Sequence, residues 1–200
     1  MNIRPILLLA LALTLPLAGA KAQPQVPGAV TVIYASVPDP YLISFGADGA
    51  LYVGRDNYGT GGPNEEPFKI RRVGPGGSPV AEFGDAAIPD PDAVIVDRTG
   101  TVSGLAGAVL VGGMTGPHTG QISRVAPDGT VSVLFGPSNL YLNPNGFAFD
   151  ALGRLLFTEW SQGRVYRTDG GTPTVLFTLN GAFSIDLQAQ VLKISILDQT

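Results

Sequence analysis

The stretch Asn143–Phe177, NPNGFAFDALGRLLFTEWSQGRVYRTDGGTPTVLF, decides the fold. It holds four short apolar runs, Gly146–Asp150, Arg154–Trp160, Arg164–Arg167 and Thr174–Phe177, each separated from the next by Gly, Asp or Gln-Gly. The runs are rich in β-branched and aromatic residues, which pack well on a pleated surface, while Gly and Asp tolerate the backbone of tight turns. Four strands joined in this way form one twisted antiparallel sheet with two faces to cover.

Working outward, the same four-run order occurs twice upstream. Tyr41–Phe45, the turn Ala47–Gly49, Leu51–Gly54, Phe68–Val73, a Gly-Pro-Gly-Gly turn and Val80–Phe83 make one copy. Ala93–Asp97, Ala108–Gly112, Gln121–Val125, the turn Pro127-Asp128-Gly129 and Val131–Phe135 make the next. Two marker sets keep one register: Arg72, Arg124 and Arg167, and Phe83, Phe135 and Phe177. Ala182–Leu187 and Val191–Leu197 begin a further, partial copy. Four strands per unit, at a period of about 40 to 50 residues, is the pattern of a β-propeller, whose sheets pack face to face around an axis. An immunoglobulin-like sandwich is the main competitor, but it does not generate a repeated marker set. The expected fold is therefore all-β, with four-stranded antiparallel blades at 41–84, 92–136 and 145–178 and a partial blade at 181–200, about three and a half blades in all. The marker Phe residues are expected between sheets, and the marker Arg residues on exposed strands.

Residues 1–22 read as a secretory signal: Arg4 supplies the positive end, Ile6–Leu17 the apolar run, and Ala18, Ala20 and Ala22 the small residues before cleavage, best placed after Ala22. The alternative, an uncleaved anchor, has an apolar run shorter than the roughly 20 residues of a comfortable span. The expected location is secreted or periplasmic, with no stable membrane span after cleavage. Residues 23–40 form a Pro-rich lead-in and an N-terminal closing strand, Val30–Ala35. Such a strand completes the last sheet of a ring, and its partner would lie beyond Thr200. The expectation is a chain truncated relative to a closed parent, or one that self-associates with another copy through its open blade edges.

Composition excludes several classes. The chain has 200 residues, 27 Gly, 17 Pro and no Cys, and removing Arg4 and Lys21 with the leader takes its formal charge from −4 to −6. An acidic chain with few Lys and Arg suits no nucleic-acid backbone. The absence of Cys removes disulfides, thiolate metal sites, a thiol nucleophile and a lipid-anchored cysteine. No Gly-rich phosphate loop, zinc motif or Gly-x-Ser-x-Gly elbow is present.

In a propeller, the entries to the inner strands and the loops joining second to third strands gather at one mouth. The entries offer Asp39, Tyr41, Asp90, Asp92, Asn143, Asn145 and Asn180; the loops offer Arg55, Asp56, Asn57, Glu65, Glu66, Met114, His118, Glu159, Trp160 and Ser161. Polar groups from separate blades thus converge where a ligand or a hard cation is expected.

The run PNGFAFDALGRLLFTEW, Pro144–Trp160, resembles the repeat of the NHL, strictosidine-synthase-like and gluconolactonase (senescence marker protein) group of six-bladed propellers, in which Asn-Gly opens an inner strand. The resemblance runs from about Tyr41 to Leu197 and implies a six-bladed ring. For the gluconolactonase branch it implies a divalent cation such as calcium, held by a Glu, an Asn and an Asp at successive entries and used to open sugar lactones. Asn145 matches the metal-binding Asn, and Asp92 matches a blade that carries a substrate-binding Asn. The Glu would fall at Tyr41 and the Asp at Asn180, so two of the three metal ligands differ, and with the Asp goes the expected general base. Asp92 and Glu159 compensate only if they point inward. A lyase branch of similar propellers works with a histidine and a metal; His118, the only histidine, carries that reading, against a plain exposed-loop reading. Trp160 either stacks on a sugar or packs near the mouth. The loop Asn57–Pro67 reads as a solvated turn, with an oxygen-rich cation loop as the alternative.

Two functions remain open. One is an exported propeller that binds a small ligand or a protein partner at its mouth without a complete metal set, using Asp92, His118, Glu159 and Trp160. The other is a divalent-metal-dependent lactonase or related hydrolase with Asn145 as a metal ligand.

Overall fold

A computed structural model of the chain describes residues 33–55, 67–159 and 162–178 and, as backbone, the strands Ser184–Gln188 and Val191–Ser195. Three four-stranded antiparallel sheets follow one another along the chain, each in simple sequential order. Blade 1 is β1 (Pro40–Phe45), β2 (Leu51–Arg55), β3 (Phe68–Val73) and β4 (Val80–Ile88). Blade 2 is β5 (Ala93–Asp97), β6 (Ala108–Gly116), β7 (Thr119–Val125) and β8 (Val131–Ser138). Blade 3 is β9 (Pro144–Phe149), β10 (Leu155–Glu159), β11 (Arg164–Thr168) and β12 (Thr174–Thr178), and the hairpin β13 (Ser184–Gln188) with β14 (Val191–Ser195) begins a fourth sheet. The first strand of each sheet lies beside the first strand of the next: β5 contacts both β1 and β9, and β9 contacts β13. Among the described residues a 3-10 turn, Pro75–Gly77, is the only helical element, and no helix is long and apolar enough to cross a membrane.

Period-2 alternation sends successive side chains to opposite faces, so each blade buries two apolar surfaces. Between blades 1 and 2 lie Tyr52, Ile70, Ile88, Val94, Val96, Val109, Val111 and Val125, with Phe83 packed against them. Between blades 2 and 3 lie Leu110, Ile122, Phe135, Tyr141, Phe147, Leu155, Phe157 and Tyr166. Phe157 stacks on Tyr166 at 5.0 Å, and Tyr141 meets both rings edge-on. On the far face of blade 3, Ala148, Leu156 and Val165 form a smaller cluster that Phe177 joins. Phe83 and Phe135 are interblade packing residues, as the repeat predicts, while the described contacts of Phe177 are with its own blade. The marker Arg residues are only partly exposed, because they reach the turns at the strand exits: Arg72 Nη2 pairs with Asp48 at 2.9 Å, and Arg124 Nη1 donates to the Ser103 carbonyl at 2.9 Å.

Two sequence expectations change. The outer strands β4 and β8 continue past Phe83 and Phe135, where the expected runs end. Gly84 (φ 120) and Gly136 (φ 97) are the positive-φ residues beside ladder irregularities, and beyond Gly84 the Asp85 N–H bonds the Gly129 carbonyl of blade 2 at 2.8 Å. In the proposed closing strand, Val30–Val32 lie outside the described residues and Ile33–Ala35 belong to no strand. The lead-in covers blade 1 by side-chain packing: Ala35 and Val37 rest on Leu51, Val53 and Val73, on the face turned away from blade 2.

Candidate functional site

Each inner strand is entered through the same dipeptide pattern: Asp39-Pro40, Asp90-Pro91 and Asn143-Pro144. Proline suits a strand start because it has no ladder N–H to offer. It also restricts the residue before it, and Asp39 (φ 46) and Asp90 (φ 43) take the left-handed backbone that Asp tolerates better than most side chains. Their carboxylates tie the entry to the end of the second strand of the same blade. Asp39 Oδ2 pairs with Arg55 Nη2 at 3.3 Å, and Asp90 Oδ2 accepts from Met114 N at 3.1 Å. Arg55 is further held over the Phe68 ring, 4.0 Å from its centroid.

The next blade's entry then crosses close to that second strand. A Cβ at Gly54 would run into the Pro91 and Asp92 carbonyls, and one at Gly112 into the Pro144 carbonyl and the Phe147 ring. Close approach of this kind explains the Gly in the "VG" of β2 and β6.

Two residues after each Asp/Asn comes a second repeated position: Tyr41, Asp92 and Asn145. They are equivalent by register, since each lies four residues before the inner-strand partner of Leu51, Val109 or Leu155. The structure joins the entry residues in two pairs. Asn143 Nδ2 donates to Asp92 Oδ2 at 3.3 Å across blades 2 and 3, with both residues buried. Tyr41 Oη donates to Asn145 Oδ1 at 3.3 Å, reaching from blade 1 to blade 3. The Asn143 amide is oriented by the carboxylate, and its Oδ1 is then a buried acceptor with no hydrogen-bond partner.

Glu159, on β10 between Pro144 and Arg164, is fully buried. Its Oε2 accepts from Gln162 N at 2.7 Å, which caps the β10–β11 turn. His118 is exposed on the β6–β7 turn, and no described hydrogen bond joins it to the residues above. Trp160, Asp56, Asn57, Glu65, Glu66 and Asn180 lie outside the described residues. Sequence reasoning placed Asn143 among the entries but gave it no role in binding, and it did not foresee Tyr41 as a cross-mouth donor. The repeated Asp/Asn-Pro pattern was the signal available for the first; nothing local signalled the second. Beneath the mouth, burial pushes the Tyr141 phenol up to about 12, so this ring stays neutral and serves as apolar wall.

No family model matches the chain, and no curated protein matches it in sequence. Its architecture matches solved structures. The virginiamycin B lyase from Staphylococcus aureus superposes with a TM-score of 0.57 at 19% identity, over 81% of this chain and 52% of the lyase. A gluconolactonase from Xanthomonas campestris superposes with a TM-score of 0.59 at 21% identity, over 82% of this chain and 57% of that enzyme. The fold is a β-propeller. A chain of a nidogen/laminin complex gives a TM-score of 0.52 at 15% identity, over 82% of this chain and 74% of that one. The propeller described here spans about half the length of the lyase and gluconolactonase structures it matches.

The divalent-cation reading finds limited support among the propeller's described residues. No three His, Cys, Asp or Glu side chains come together among them, and the one amide oxygen at the expected position, Asn145 Oδ1, already accepts from Tyr41. A calcium ion needs several oxygens with enough negative charge to offset its dehydration.

Proposed function

We propose that this chain is an exported β-propeller that binds a small polar ligand, or a polar segment of a protein partner, at its mouth by hydrogen bonds and without a resident metal. The observation that carries this reading is the cross-blade set Tyr41, Asp92, Asn143 and Asn145, in which Asn143 Oδ1 is a buried acceptor awaiting a donor. A hydroxyl-rich or amide-bearing molecule supplies a donor for Asn143 Oδ1 and a second donor for the Tyr41 hydroxyl oxygen, whose own proton goes to Asn145. The leader-like residues 1–22 support export, and the likeness to a chain of a nidogen/laminin complex supports a protein partner. Fold likeness alone assigns no reaction.

The second reading, a divalent-metal-dependent lactonase or related hydrolase, is favoured by the buried carboxylates Asp92 and Glu159 and by the likeness to a gluconolactonase. One titration separates the two. Gluconolactone, neutral sugars and polyols are titrated calorimetrically against the full chain, with and without chelator. The proposed function expects saturable binding that survives the chelator, weakens about tenfold in Asp92→Ala, and proceeds without hydrolysis. Binding or lactone opening that disappears with chelator and returns with calcium establishes the second reading instead.

A further inference from the structure

We infer that Tyr41 is the residue that keeps a divalent cation out of this mouth, by filling with a phenol and a hydrogen bond the gap that a carboxylate and a cation would otherwise bridge. Tyr41 and Asn145 occupy equivalent positions on β1 and β9, two blades apart, with Asp92 at the same position on the strand between them. These inner strands lie side by side, β1 against β5 and β5 against β9. Two of the three residues are uncharged, and Asp92 already accepts from Asn143 Nδ2. Among the described residues at these positions, a cation would exchange its water for a single carboxylate, which is too little charge for a hard ion.

The dimensions make Tyr41 the deciding position. Its hydroxyl stands 3.3 Å from Asn145 Oδ1. A calcium ion between two oxygens separates them by about 4.8 Å, twice its usual bond length. A glutamate oxygen in an extended rotamer lies about 1.5 Å nearer its own Cα than a tyrosine hydroxyl does. The shorter side chain plus a cation therefore covers the same distance as the longer side chain plus a hydrogen bond. Tyr41 is 40% exposed and belongs to none of the core clusters, so it can be exchanged without opening the interior. Glutamate at this position would add a second carboxylate to that of Asp92 and free the Asn145 amide oxygen, on inner strands that lie side by side. Cation exclusion belongs to the Tyr41–Asn145 pair and holds whatever ligand the mouth takes.

The test is calcium chloride titrated calorimetrically into the full chain, paired with thermal melts, for wild type, Tyr41→Phe, Tyr41→Glu and Tyr41→Glu/Asn145→Ala. Wild type and Tyr41→Phe should give no saturable calcium heat. Tyr41→Glu should bind one calcium with a Kd on the order of 10⁻⁴ to 10⁻³ M and melt about 3 °C higher at tenfold excess over Kd. The double variant should lose both effects. Should Tyr41→Glu not fold, Tyr41→Asp takes its place, with weaker calcium binding than expected for Glu but more than wild type. Wild type that binds calcium and loses it in Asn145→Ala overturns the inference. So does a folded Tyr41→Glu, or in its place a folded Tyr41→Asp, with no calcium affinity.

Discussion

The two ends of the inner strands use the same residue types for opposite purposes. At the exits of β5 and β9, Asp97 and Asp150 hold turns. Asp97 is fully buried and accepts from Thr99 Oγ1, the backbone N–H groups of Gly100, Val102 and Ser103, and Ser103 Oγ, all within 3.3 Å. Asp150 accepts from the Leu152 and Arg154 N–H groups and pairs with the Arg154 guanidinium at 2.6 Å. At the entries, Asp92 and Asn143 lean on each other across two blades and leave a buried acceptor open. A carboxylate whose lone pairs are spent on its own loop is structural, whereas a polar pair between blades with an unused acceptor is available to a ligand.

That contrast is easiest to break at Asp97. Asp97→Ala strands three backbone N–H groups at once, two of them buried, so urea unfolding should show a loss of about 3 kcal/mol or more. Asp92→Ala should cost about 1–2 kcal/mol in the same assay, because the described bond it loses is to Asn143 Nδ2. Equal losses at the two positions would remove the distinction between a structural end and a binding end.

Acid sharpens the same point. Burial pushes the Asp97 carboxyl up, but the hydrogen bonds from Ser103, Gly100 and Val102 outweigh it and hold the pKa below the usual carboxylate value. Asp150 follows the same balance, with burial opposed by the bonds from Arg154 and Leu152. Asp48 is lowered first by its hydrogen bond to Arg72 and then by the Ala50 N–H. A group with a depressed folded pKa contributes its full stability above the unfolded value of about 3.9 and loses it as pH falls through the folded pKa. Denaturant midpoints for wild type should therefore stay level down to about pH 5 and fall below pH 4, and Asp97→Asn should flatten that fall. An unchanged acid limb in Asp97→Asn would count against the exit end as the acid-sensitive part.

The smallest effect is expected at the mouth surface. Tyr41→Phe removes one exposed hydrogen bond and should shift stability by no more than about 0.5 kcal/mol. A loss as large as that of Asp92→Ala would show that Tyr41 braces the blades and is not merely seated across the mouth.

The blade pattern was legible in the sequence because an apolar run bounded by Gly or Asp is a local signal, and it repeats. β3 (Phe68–Val73) and β5 (Ala93–Asp97) coincide with the expected runs. The continuation of β4 and β8 past Gly84 and Gly136 was not legible because a glycine that ends a strand and one that bends it read alike; only the pairing partner across the ladder tells them apart. The site was half legible. The propeller pattern predicted that Asp92, Asn143 and Asn145 would share a mouth, but Tyr41 looked like a mere departure from a metal ligand set, since nothing within its own blade announces a bond to Asn145, 104 residues away.

Sequence by itself determined the all-β class, the blade repeat, the interblade packing of Phe83 and Phe135 and the convergence of entry residues, because each follows from spacing within a few tens of residues. Tertiary structure alone decided which oxygens at the mouth are occupied. That depends on angles and reach between strands of different blades: Tyr41 onto Asn145, Asn143 onto Asp92, and Glu159 turned back onto Gln162.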